Sequence, residues 1–183
     1  MTAESRPALN DRPSLQIDFL REAGWADAVA QPISGDASTR SYQRLQRGDE
    51  LAVLMNAPPG AEAAACPPGA TPAERAALGY NAEARLAGPN LNAFTCLSGL
   101  LREAGLHAPA IYAADPVNGF ALIEDLGDGL YVRAIENGAN EGALYEAAID
   151  VLAHLHATPL PRPQGRDYTL LDYDETAMLA EAG

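Results

Sequence analysis

One stretch, ALIEDLGDGLY from Ala121 to Tyr131, divides the sequence into two regimes. What precedes it reads as one lobe built largely of short strands; after Glu141 the apolar residues recur at helical spacing. The stretch itself is an apolar strand that ends in two carboxylates, Glu124 and Asp125, and opens into the chain-reversing bend Leu126-Gly127-Asp128-Gly129. A strand that delivers its main chain into a crevice between two lobes can bind a flat, hydrogen-bonding ring. The plain alternative is a strand followed by an acidic turn, and this stretch alone leaves both open.

Charge narrows the partners. The formal net charge of −13 at pH 7 argues against a nucleic-acid or anionic-membrane surface, since those require basic patches. All 12 basic residues are arginines, so a lysine phosphate ligand and a lysine Schiff base are both ruled out. A phosphate would have to be met by arginine, by main-chain N–H groups or by a metal. Cys66 and Cys96 show no CxxC spacing and the first residues have no apolar core of signal-peptide length, so the expectation is a reduced, cytoplasmic protein. No apolar run approaches the ~20 residues of a membrane span. At 183 residues the chain suffices for one domain, or for two lobes sharing a cleft, with a real core.

Along the chain, Ser14 is placed to cap a helix with Leu15, Phe19 and Leu20 on one face and Gly24 as its stop. Three strands follow, AVAQPIS, RSYQRLQ and LAVLM, with an ordinary hairpin turn at Arg47-Gly48-Asp49-Glu50. The connection between the first two is Gly35-Asp36-Ala37-Ser38-Thr39, followed directly by Arg40. Small residues let a backbone approach a phosphate, and Arg40 could add a forked contact; a simple hairpin fits the same residues. Residues 57–89 are rich in Ala, Pro and Gly and read as a flexible insertion that buries little, except for a helix started by Thr71-Pro72-Ala73-Glu74 and broken at Gly79. From Asn92, the residues Phe94, Leu97, Leu100 and Leu101 predict a helix packed on the sheet and ended by Gly105. Pro109–Ala114 and Phe120–Asp125 complete a five-stranded antiparallel sheet.

Beyond the bend, Tyr145, Ile149, Leu152 and Leu155 share a helix face. His154 and His156 stand two apart on that helix, project from different faces and read as helix-end residues, not as metal ligands.

Five strands with a helix after the third, an acidic hinge and then helices resemble the small lobe of a protein-kinase-like fold. The segments GDASTRSYQRL, AVLMNAPPG, FTCLSGLLREAGLHAPAIYAAD and ALIEDLGD resemble the aminoglycoside phosphotransferase family. Within it they look like the bacterial sugar kinases that phosphorylate the anomeric hydroxyl of N-acetylmuramate and N-acetylglucosamine in cell-wall recycling. The fold class implied is α+β: a small lobe over residues 1–125, then the hinge and a partial helical large lobe over 126–183, the whole reading as truncated.

The resemblance implies ATP as cofactor. Gly35, Asp36, Ala37 and Ser38 would cover the nucleotide phosphates. Main-chain groups of Glu124 and Leu126, with Asp125 between them, would meet the adenine beside an apolar wall that includes Val53. Asp128 and Tyr131 would line the cleft mouth near the sugar. Two departures from the family pattern stand out. Kinases place a lysine at the end of the third strand, and Met55 occupies that place here, so either Arg40, the favoured reading, substitutes on the phosphates, or affinity rests on the hinge and metal alone, or nucleotide binds poorly. The family's catalytic aspartate and Mg²⁺ ligands lie on an H-x-D loop and beyond it, whereas neither His107, His154 nor His156 has Asp two places on. No catalytic or metal-binding residue is therefore assigned within this sequence. The expectations are a sugar kinase present without its catalytic loop or, alternatively, an inactive nucleotide- or protein-binding remnant; resemblance by topology alone is the third reading. In either of the first two, the helix face within residues 143–156 should stay exposed or recruit a second copy.

Overall fold

The computed structural model describes residues 11–34, 39–61, 63–88, 90–159, 168 and 170–182. Helix α1 (Arg12–Glu22) precedes strands β1 (Val29–Ile33), β2 (Ser41–Arg47) and β3 (Glu50–Asn56). Then come α2 (Pro72–Leu78), a π-helical turn (Asn81–Arg85), α3 (Leu91–Glu103), β4 (Ile111–Asp115) and β5 (Phe120–Glu124). Helices α4 (Tyr131–Glu136), α5 (Glu141–Ala157) and α6 (Glu175–Ala182) follow. The strands form one five-stranded sheet in the order β1-β2-β3-β5-β4, every neighbouring pair antiparallel. This is the expected α+β architecture, with α3 between the third and fourth strands.

Register follows from a two-residue turn. Gly48, at φ +59°, and Asp49 join β2 to β3, and only a residue tolerant of positive φ closes so short a hairpin. The turn sets Arg47 opposite Glu50, where the side chains pair at 2.7 Å, and hence Arg44 opposite Val53 and Tyr42 opposite Met55. Because side chains alternate between the faces of a strand, each cross-strand row belongs to one face. Leu45, Ala52, Leu54, Phe120 and Leu122 fill the first face against Phe19 of α1 and Trp25. Phe19 stacks on Phe120 with ring centroids 5.6 Å apart. Val53, Met55, Ala121 and Ile123 fill the second face against Leu91 and the partly buried Phe94 of α3, with Ile33 and Tyr42 at its β1–β2 end. Each large side chain so enclosed contributes about 2 kcal/mol on leaving water.

At the β4–β5 turn Gly119 has φ +74°, and a Cβ there would lie 1.9 Å from the Ala57 carbonyl oxygen. The main chains meet directly instead, Ala57 N–H donating to Gly119 O at 2.8 Å. That contact fixes the entry of β5.

Four expectations need correction. Helix α1 begins at Arg12 after Asp11, not at a Ser14 cap, with Pro13 in its first turn where a missing N–H costs nothing. In α3 Leu97 is exposed, and the buried residues Leu91, Ala93, Cys96, Ser98 and Leu100 form two stripes in place of one. One stripe lies toward the sheet, Ser98 donating to the Pro109 carbonyl, and the other carries Cys96 toward Tyr168. The bend after β5 leads straight into the short helix α4, which Gly138 at φ +90° helps to end and which the spacing of apolar residues does not reveal.

The fourth correction concerns residues 57–89, which bury more than their composition implies. Helix α2 has the expected capping box: Glu74 N–H donates to Thr71 Oγ1, and Thr71 N–H to the Glu74 carboxylate. One position on, Arg75 is buried, donating from Nε to Ala82 O at 3.1 Å and from Nη2 to Glu83 O at 2.7 Å. Its Nη1 meets Asp174 at 2.6 Å, and Asp174 also accepts the Ala177 N–H at the start of α6. Asn81, Ala82, Ala84 and Leu86 are buried around this pair, and Tyr80 donates to Glu181. The carboxyl-terminal helix thus docks on the insertion.

Helix α5 carries no buried residue; Tyr145, Ile149 and Leu152 are exposed and Leu155 is half-buried. His154 lies 3.0 Å through Nε2 from the Ala104 carbonyl at the end of α3. Among the described residues no helix is long and apolar enough to cross a membrane.

Candidate functional site

The second face of the sheet leads to the site. Two cross-strand rows run across it: Ile33, Tyr42, Met55 and Ala121, then Gln31, Arg44, Val53 and Ile123. Two residues beyond Ile123, by the same alternation, stands Asp125, just past the end of β5. Arg44 reaches it. The guanidinium donates to Asp125 from Nε at 2.5 Å and from Nη2 at 3.1 Å, and to Asp128 from Nη1 at 3.0 Å and Nη2 at 2.9 Å. The Asp125 side chain is only 5% exposed, against 27% for Arg44 and 83% for Asp128. Hydrogen bonding by Arg44 holds both carboxyls below the ordinary aspartate range, and the pair of carboxylates in turn raises the arginine.

The main chain around this clamp has a defined shape. Asp125 Oδ1 accepts the Gly127 N–H at 2.9 Å, a turn closed by a side chain across Leu126. Glu124 N–H is spent on the Ala110 carbonyl, so a base-binding role for Glu124 falls to its carbonyl. The Glu124 carboxylate accepts Ala110 N–H at 2.9 Å and lies 3.4 Å from Arg102 and 3.8 Å from His107. That backbone bond, more than the neighbouring His107 and Arg102, holds its carboxyl below the usual range. Among the described residues, the N–H and C=O of the exposed Leu126 meet no hydrogen-bond partner. A strand end that presents unpaired main-chain groups beside an apolar face can take the polar edge of a flat ring.

A family model described as the phosphotransferase enzyme family matches residues 29–182, from β1 to α6. The chain belongs to the phosphotransferase enzyme family. It is 49% identical over 172 residues to an N-acetylmuramate/N-acetylglucosamine kinase of Caulobacter vibrioides, covering 92% of this chain and 47% of that one. Kinases of the same name from Pseudomonas aeruginosa (36% over 137 residues, 73% of this chain and 32% of that one) and Pseudomonas putida (29% over 167 residues, 90% and 39%) are similar as well. The chain spans less than half the length of these relatives.

Of the phosphotransferase residues expected from sequence, Val53, Glu124, Asp125, Leu126 and Asp128 come together around the end of β5. Met55 is fully buried in the second-face core between Val53, Leu91 and Ala121. Arg40 is half-buried just before β2. Tyr131 opens α4 and rests edge-on against Tyr145 of α5, centroids 6.3 Å apart. Gly35, Asp36, Ala37 and Ser38 lie outside the described residues. Arg44 was missed. The signal for it was present, since a two-residue turn at Gly48-Asp49 already places Arg44 opposite Val53, but its partners lie 81 and 84 residues further along the chain.

Proposed function

We propose that this chain is the nucleotide-binding part of an ATP-dependent kinase acting on the anomeric hydroxyl of an amino sugar, N-acetylmuramate or N-acetylglucosamine. Family membership and the names of the three relatives support the reaction class. The observation that carries the nucleotide site is the Leu126 main chain at the end of β5, without a partner among the described residues and beside the face bearing Val53.

In this reading the adenine edge donates to the Glu124 carbonyl and accepts from the Leu126 N–H, with Val53 as part of the wall. Gly35 to Ser38 cover the phosphates, and Arg40, standing in for the lysine that Met55 replaces, pairs with phosphate oxygens through its fork. Asp128 and Tyr131 line the sugar side. Bound ATP would supply the transferable phosphoryl group. Kinases use Mg²⁺ in that transfer, but among the described residues no three His, Cys, Asp or Glu side chains are grouped to hold a metal ion, so no step is derived through one. The division into a small lobe over 1–125 and a hinge with large-lobe helices over 126–183 belongs to the same proposal, as does a cytoplasmic location.

None of the three histidines is followed two places on by aspartate, so no catalytic base is assigned. The reading therefore takes two forms: a portion of an active kinase, or a remnant that binds nucleotide without turnover. In both, the 183-residue chain binds ADP and yields no sugar phosphate from ATP and either amino sugar. Failure to bind ADP by calorimetry would overturn the nucleotide site, and turnover would overturn the absence of a base. The exposed Tyr145, Ile149 and Leu152 face is proposed to pair with a second copy. A monomer by sedimentation at high concentration removes that part.

A further inference from the structure

We propose that Arg44 is a positioning residue for base recognition: by gripping Asp125 and Asp128 together it fixes the Leu126 peptide at the spacing from Glu124 that an adenine edge requires. This rests on the nucleotide site proposed above and adds the residue that sets its selectivity.

The loop from Asp125 to Gly129 lies past the end of β5 and has no strand beside it. Three ties hold it. Asp125 is bound to Arg44 at 2.5 Å, Asp128 to Arg44 at 2.9 Å, and Gly127 N–H to Asp125 at 2.9 Å. Leu126 lies inside all three, between the aspartate that accepts the Gly127 N–H and the glycine that donates it. Rotating the Leu126 peptide would pull Gly127 off Asp125, and moving Asp125 would open the pair with Arg44. The arginine itself is anchored in β2, in the same cross-strand row as Val53 and Ile123. One side chain thereby references the loop to the wall on which the base would lie.

The consequence is selectivity. Adenine offers an amino donor beside a ring-nitrogen acceptor, and guanine offers a carbonyl acceptor beside a ring N–H donor. A carbonyl from Glu124 and an N–H from Leu126 match the first pattern and oppose the second, leaving buried polar groups unpaired with the wrong base. The discrimination holds only while both groups are fixed, because a loose loop can turn its peptide to suit either edge. An arginine that merely stabilised the sheet would affect both bases and the phosphates alike.

The test titrates the 183-residue chain with ADP, GDP and inorganic tripolyphosphate by calorimetry, in the wild type and in Arg44→Met, Arg44→Lys and Asp125→Asn. Wild type is expected to prefer ADP over GDP. Arg44→Met should lose about tenfold in ADP affinity and most of that preference, with tripolyphosphate binding unchanged. Arg44→Lys, which keeps the charge but loses the fork, should fall between the two, and Asp125→Asn should repeat the Met variant's pattern. Should Arg44→Met fail to fold, Asp125→Asn carries the same readout. A folded variant that keeps the wild-type ADP-to-GDP ratio, or that loses ADP and tripolyphosphate equally, overturns the role of Arg44 and leaves the nucleotide site standing. A wild-type chain that binds ADP with no preference over GDP overturns this inference alone, and one that binds no ADP overturns the nucleotide site and this inference with it.

Discussion

Two arginines in this chain do superficially the same thing, and the contrast between them separates holding a fold from shaping a site. Arg44 and Arg75 each grip an aspartate that in turn accepts a main-chain N–H a few residues on: Gly127 for Asp125, Ala177 for Asp174. Arg75 is enclosed, its side chain 4% exposed, and its remaining donors are satisfied by the carbonyls of Ala82 and Glu83. All its bonds tie secondary structure to secondary structure: α2 to the π-helical turn and both to the start of α6. Among the described residues, Arg44, partly open to solvent, spends its donors on two carboxylates and no carbonyl, and organises a loop whose middle residue has unpaired main-chain groups. A buried cation satisfied by carbonyls is built to stay shut, whereas a half-exposed one amid surplus negative charge is built to hold something at an edge.

The sharpest way to break this contrast is to remove Arg75. Arg75→Met keeps most of the aliphatic volume and leaves the Ala82 and Glu83 carbonyls and Asp174 without their donor. A loss of about 3 kcal/mol is expected, the low end for opening a buried ion pair, because Asp174 is itself 46% exposed and can be rehydrated. Hydrogen exchange should localise the damage to the amides of α6 and the π-helical turn. Nucleotide affinity, which rests on the Arg44 loop and shares no partner with Arg75, should change by no more than about twofold, the usual bound for sites without shared partners. If Arg75→Met leaves α6 protected, the enclosed clamp is not what docks that helix. If it abolishes ADP binding in a folded chain, the two clamps are one system and the contrast fails.

The sequence made one clamp half-legible and hid the other. The strands are visible from their period, and the Gly48-Asp49 turn fixes the β2–β3 register, so the face of Arg44 follows by counting from Arg47 opposite Glu50. That β5 lies beside β3, with Asp125 on the face of Val53 and Ile123 two residues past Ile123, is a fact of sheet order that no local pattern carries. The capping box at Thr71 is equally plain, since it needs only residues three apart. Arg75 is not. In a segment dominated by Ala, Pro and Gly, an arginine in a short helix looks like a solvated surface charge, and its acidic partner lies 99 residues on. The two buried stripes of α3 escaped for a related reason: the helix is buried on more than one side, and a single-stripe count buries Leu97, which is exposed.

Acid separates the clamps more gently than mutation. Arg44 holds Asp125, and Arg75 holds Asp174, below the ordinary aspartate value of 3.8. A carboxyl whose folded pKa is lowered binds protons less readily folded than unfolded. The stability it contributes is therefore complete above about pH 5 and is lost as pH falls below that ordinary value and through the folded one, while both arginines stay charged. Each aspartate has its own reporter in the amide it accepts. The proton resonance of Gly127 should shift as Asp125 titrates and that of Ala177 as Asp174 titrates, both with midpoints below 3.8. The variants then cross-check the assignment: Arg44→Met should raise the Gly127 midpoint and leave Ala177 in place, and Arg75→Met should do the reverse. A Gly127 midpoint at or above the ordinary value in the wild type would mean that Arg44 does not grip Asp125 in solution. A variant that moved both reporters together would join what the geometry keeps apart, and the half-exposed arginine would lose its claim to a separate role.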